Sequence, residues 1–216
     1  MKTFSKMMMV AGAVVTVGLV GCASRDAMTK EYNRLAALPP VYCNHCPEDK
    51  ALDSLGVAVS KSYNFAHKLM KEYVAATETQ RAYLGYMNDI EYYVTEEKME
   101  EEAAANRVMK EIQESDVQVA NPEEKMWPQV VIGIQATNAL KPAQKLQEIA
   151  PVALAVAQAI KDCNKLKDSF KGFDQATVAK GICAGKIIKQ ATDTAECLAF
   201  LSIQFKRAIQ AQTYAK

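Results

Sequence analysis

Cys43 and Cys46, in the run Cys43-Asn44-His45-Cys46-Pro47, are the residues whose spacing could do chemistry. Two residues between cysteines is the spacing of thioredoxin-like redox sites and of half a zinc site. A redox site of that kind sets its first cysteine at a helix N-terminus after a strand, and no strand pattern precedes Cys43. A structural zinc needs four ligands. Here His45 adjoins Cys46, His67 is the other histidine, and there is no second Cys-x-x-Cys. Heme attachment wants histidine directly after the second cysteine, where this chain has Pro47. The expectation is a structural disulfide using Cys43, Cys46 or both. Thiol-redox chemistry and metal capture by Cys43, His45 and Cys46 are the alternatives.

Other chemistry is harder to find. No Gly-x-Ser-x-Gly, phosphate loop or His-Glu-x-x-His occurs. His67 reads as a packing residue flanking a helix. Tyr63, Tyr73, Tyr83, Tyr86, Tyr92 and Tyr93 could line a groove, but tyrosines in helical bundles mostly pack between helices with the hydroxyl at the edge. No catalytic residue, cofactor or committed metal site is expected.

The elements that must hold these residues are helical throughout. Asn-Gly and Asp-Gly turn pairs are missing, and glycine (9) and proline (7) are sparse over 216 residues. Met28, Tyr32, Leu35 and Leu38 mark a short helix ended by Pro39-Pro40. From Leu52 to Val94 apolar residues recur at alternating three- and four-residue steps, broken only by Ser62 and Gln80. That is a heptad seam. Thr77 and Gln80 match a capping box, yet the seam passes through them, so a helix unbroken at Thr77 is expected. Whether 49–118 forms one helix or two stays open. Glu96 to Glu102 reads as a solvated tip. Asn121-Pro122-Glu123-Glu124 reads as a helix start, with further punctuation at Pro128, Pro142 and Pro151. Asp193 with Glu196 is a candidate cap for a last helix.

A helical hairpin turns at Gly172-Phe173-Asp174. Cys163 and Cys183 are equidistant from residue 173, and in antiparallel arms such positions lie level. Both sit on apolar stripes, and Gly181, Ala184 and Gly185 would let the arms approach. A Cys163–Cys183 staple is therefore expected. Cys197 lies ~21 Å beyond Cys183 along an unbroken helix and could not replace Cys163. The fold class is all-α: a helical bundle with one long heptad-patterned helix, coiled-coil in character, and a C-terminal hairpin.

Upstream, Lys2 and Lys6 precede an apolar run from Met7 to Val20 that closes on Leu19-Val20-Gly21-Cys22. The order of charge, then apolar run, then small residues resembles a secretory signal, and its ending resembles the bacterial lipoprotein lipobox. The resemblance implies removal of residues 1–21 and acylation (palmitate-type chains) of Cys22. Ala23 and Ser24 lack the aspartate that retains lipoproteins in the inner membrane, so it further implies the periplasmic face of the outer membrane. The alternative is an anchor spanning the uncharged stretch from Met7 to Ser24, which just reaches the length a membrane requires. The expected layout is a signal over 1–21, a membrane-proximal helix and cysteine loop over 22–48, and a bundle domain over 49–216.

Removing 1–21 takes away two lysines and no acid, so the formal charge falls from +1 to −1. That balance makes no case for nucleic acid or an anionic surface. The function expected is an envelope scaffold or binding subunit, not an enzyme, with a redox or metal sensor at Cys43 and Cys46 as the alternative. The partners expected are the membrane through Cys22 and an envelope protein, with self-association through the 52–94 seam also open.

Overall fold

Helix starts and stops in this chain are set by side chains that satisfy the orphan amides and carbonyls of helix ends. A computed structural model describes residues 27–39, 46–47, 49–170, 172 and 174–214. Among these residues there are seven α-helices and no strand. They are α1 (Ala27–Ala36), α2 (Lys50–Thr77), α3 (Arg81–Thr95), α4 (Glu101–Val117), α5 (Met126–Asn138), α6 (Pro142–Ser169) and α7 (Gln175–Ala211). The described residues group into two compact units. The first draws on Leu38–Met70 and Gln147–Phe200, the second on α1, Lys71–Leu146 and residues from Leu201 onward.

In the first unit, Asp49 starts α2: its carboxylate accepts from the amides of Ala51 (3.0 Å) and Leu52 (3.2 Å). Those bonds, the Leu52 amide foremost, hold its carboxyl below the usual range. The seam of α2 packs on α6 and α7. Leu52 and Val59 share a core with Val156, Ala159 and Cys163 of α6 and with Ala184, Ile187 and Ala191 of α7. Tyr63 rather than Ser62 carries the seam through its gap; Tyr63 is buried, and its hydroxyl donates to the carbonyl of Pro39. Asp174 starts α7 by accepting from the Thr177 amide (3.0 Å) and hydroxyl (2.6 Å).

In the second unit, α3 packs on α1, α4 and α5, and α4 also packs on α5. Met28, Tyr32 and Leu35 are the buried face of α1. The chain does break after Thr77, which corrects the expected unbroken helix. Thr77 turns its hydroxyl back to the Tyr73 carbonyl (2.8 Å), while the Gln80 amide takes the Thr77 carbonyl (2.9 Å). Gln80 makes no side-chain cap. Tyr83, Met87 and Ile90 are buried beyond the break. Periodicity had reported which side is buried, and burial resumes after a turn in the same phase. The 49–118 stretch is thus three helices, with an exposed turn at Glu96-Glu97-Lys98 where the solvated tip is expected.

Three further punctuation marks read differently in the structure. Asn121 caps only the short 3-10 turn Pro122–Glu124; the helix proper starts at Met126, where the buried Asp116 carboxylate accepts from the Met126 (2.8 Å) and Trp127 (2.7 Å) amides. Pro151 lies inside α6 without ending it. Asp193 starts no helix: α7 runs unbroken for 37 residues, with Asp193 buried and paired to Lys189 one turn back (2.8 Å). Buried Ala184, Ile187, Ala191, Thr194 and Leu198 set its inward line at alternating three- and four-residue steps, a seam that alanine and glycine hide in the sequence.

Candidate functional site

Cys46, almost fully buried, is joined to Cys183 by a disulfide with Cα atoms 6.1 Å apart and 137 positions apart in sequence. Around it, the Asp53 carboxylate accepts from the Cys46 amide (3.0 Å) and the Asp49 amide donates to the Cys46 carbonyl (3.0 Å). Lys180, one turn before Cys183, reaches the Asp49 carboxylate at 3.4 Å. A covalent bond, two backbone anchors and an ion pair thus fix the start of α2 against the start of α7.

This pairing corrects the expected Cys163–Cys183 staple. The height argument is nearly right, because the Cys163 thiol donates to the carbonyl of Ala184 at 3.5 Å. The rotation is wrong. Ala184 is the residue that faces α6, and Cys183 is turned by about 100° from it. Gly181 and Gly185 do not serve the helix approach either, since a Cβ at either would meet nothing within 4 Å. Cys163 and Cys197 stay as buried thiols, and the Cys197 thiol donates to the Ala66 carbonyl at 3.6 Å. Burial pushes the Cys163 thiol up, away from nucleophilic reactivity.

Cys22, Cys43 and His45 lie outside the described residues. With Cys46 bonded to Cys183, the Cys-x-x-Cys pair is not closed on itself. Among the described residues no group of three His, Cys, Asp or Glu side chains could hold a metal ion. His67 stacks on Tyr63 with ring centroids 5.9 Å apart, as a packing residue does.

The second concentration of polar chemistry is buried in the other unit. The Arg207 side chain, 3% exposed, bonds Glu101 through Nε (2.9 Å) and Glu91 through Nη2 (2.8 Å). Among the described residues its Nη1 has no hydrogen-bond partner, nor do the hydroxyls of Tyr83 and Tyr86. Tyr73 donates to Gln204 at 3.4 Å and packs edge-on to Phe205 and Tyr32. Burial raises Tyr73 and Tyr86 and pushes Tyr83 up to about 12. These phenols are neutral near pH 7 and shut away from solvent, so they brace helices instead of moving protons. The hydroxyls of Tyr73, Tyr83 and Tyr86 sit inside the bundle, a correction to the sequence expectation, whereas those of Tyr63 and Tyr93 are only part-buried, as expected.

Arg207 has no signal in the sequence, where it follows Lys206 in an ordinary amphipathic stretch. An open hollow of about 250 Å³, below the usual size of small-molecule sites, lies against Thr79, Gln80, Arg81, Ala82, Gln129 and Ile132. No described helix is long and apolar enough to cross a membrane. No protein-family model, curated protein or solved structure matches the chain.

Proposed function

We propose that this chain is an acylated envelope lipoprotein, held at the periplasmic face of the outer membrane through Cys22, whose helical units act as a non-catalytic scaffold or binding subunit. The sequence Leu19-Val20-Gly21-Cys22 after an apolar run carries the reading. The Cys46–Cys183 disulfide supports it, because such bonds persist in oxidising compartments such as the periplasm. Support for a non-catalytic role comes from the polar groups themselves. The two densest clusters among the described residues each fasten helices together. Several acyl chains on one residue give stable anchoring, at roughly 0.8 kcal/mol for each buried CH₂.

Mass spectrometry of the mature N-terminus tests this reading. The expected result is an acylated Cys22 with residues 1–21 removed, and a Cys22→Ser variant that loses acylation and leaves the detergent phase. Ala23→Asp is expected to shift the protein to the inner membrane. An unmodified Cys22 in protein from native envelopes overturns the reading and leaves a spanning anchor in its place.

A further inference from the structure

We propose that the second unit encloses an ordered-water site, bounded by Arg207, Tyr86 and Gln210, which completes the hydrogen bonding of its core. Arg207 gives Nε to Glu101 and Nη2 to Glu91, and its Nη1 finds no partner among the described residues. The hydroxyl of Tyr86, on α3, is buried and unpartnered in the same way. So is Oε1 of Gln210, one turn beyond Arg207 on α7. The Tyr83 hydroxyl, one turn before Tyr86, is a fourth such atom. Burial raises the Tyr86 phenol, and the Arg207 charge is near enough to oppose that rise. These groups lie close together without bonding to one another.

Buried polar atoms are costly to leave unpaired, and several in one place require a ligand that satisfies them together. Their types say which ligand. Nη1 only donates, Oε1 of Gln210 only accepts, and a phenol does either. An anion would bond Nη1 and the phenols but leave Gln210 unmet, and it would face the carboxylates of Glu91 and Glu101. A cation would face Arg207, and an apolar molecule would bond none of these atoms. Water carries no charge, donates as well as accepts, and settles where two to four polar partners converge. It accepts from Nη1, donates to Gln210 and shares a bond with the Tyr86 phenol. A water held in this way bridges α3 to α7 at the point where Arg207 already ties both to α4.

Relaxation dispersion of water oxygen-17 counts the molecules that a protein holds for longer than it tumbles. On the full mature chain carrying Cys22→Ser, Tyr86→Phe with Gln210→Leu is expected to lower that count by at least one. Tyr93→Phe, whose hydroxyl already bonds Glu111, should leave the count unchanged. An unchanged count in the double variant overturns the proposal, and so does a fall of the same size in Tyr93→Phe. If the double variant does not fold, a crystal structure of the chain with only Cys22→Ser decides. Water is then expected within about 3.2 Å of both Arg207 Nη1 and the Tyr86 hydroxyl. An empty site or a direct bond between those two atoms overturns the proposal. Bromide at that position in soaked crystals also overturns it, because the site would then take anions. None of these outcomes bears on acylation of Cys22.

Discussion

The two units fix helices against one another by opposite means. In the first, small side chains such as Ala159, Ala184 and Ala191 line the core, and a disulfide ties its ends. In the second, the core holds the large phenols Tyr73, Tyr83 and Tyr86, and an arginine shared by two glutamates joins α7 to α3 and α4. Small residues allow close approach but bury little area per helix turn, so a covalent tie adds what packing does not. Tyrosines bury a large area each, and the buried polar groups then have to be satisfied one by one. Stability in the first unit should therefore follow redox state, and in the second the integrity of a hydrogen-bonded network.

The largest effect is expected at the staple. Closing 137 positions of chain is worth up to ~5 kcal/mol on the loop-entropy model. Cys46→Ala with Cys183→Ala should lower the denaturant midpoint accordingly, and reduction of the native protein should reproduce the loss. A change under ~1 kcal/mol would mean that the alanine seam holds the first unit by itself.

Arg207→Leu is the counterpart in the second unit. Breaking a buried ion pair costs about 3–5 kcal/mol, and the lower figure applies because Glu91 and Glu101 keep some contact with water. Adding Glu91→Gln and Glu101→Gln should recover part of the loss, since the remaining groups are then uncharged. Failure to recover any would assign the cost to lost packing by the arginine stem.

Next is pH. The Tyr83 phenol ionises near 10 in an unfolded chain and at about 12 in the folded one. A raised folded value means stability is complete below pH 10 and drains away as pH climbs towards 12. Alkaline titration followed by tyrosinate absorbance should show the buried phenols appearing late and together with unfolding. Tyr83→Phe should blunt that alkaline loss. Early, gradual ionisation of every tyrosine would show the second core to be open to water.

A smaller effect is expected where α5 crosses α3. A Cβ on Gly133 would lie 2.2 Å from Cβ of Tyr83 and 2.6 Å from its Cγ, atoms with no freedom to swing aside. Gly133→Ala should cost ~1–3 kcal/mol, the usual range for overpacking, measured as a lower midpoint.

How far the sequence discloses all this differs between the units. Period and composition were enough for the helices, for the hairpin, and for the inward face of α2. Connectivity was not. An apolar stripe records which side is buried and says nothing of whether the backbone is continuous, so it does not disclose the break at Thr77 or the continuity of α7 through Asp193. Spacing put Cys163 and Cys183 at one height, but disulfide geometry also depends on rotation about each helix, and one residue of rotation separates Ala184 from Cys183. Arg207 is illegible for another reason. Its charge is compensated by Glu91 and Glu101, more than a hundred positions away, and a buried arginine reads in sequence like an exposed one.

The smallest effect is also the sharpest contrast. Gly181 and Gly185 sit inside α7, in the first unit, with nothing within 4 Å of where a Cβ would be. Helix interiors disfavour glycine by up to ~1 kcal/mol relative to alanine, because glycine loses more backbone freedom on folding. Gly181→Ala should thus raise stability by ~0.5–1 kcal/mol, the opposite sign from the same change at Gly133 in the second unit. Thermal melts of the two single variants decide it together. If Gly181→Ala destabilises, a neighbour packs there and the outward face of α7 is not open.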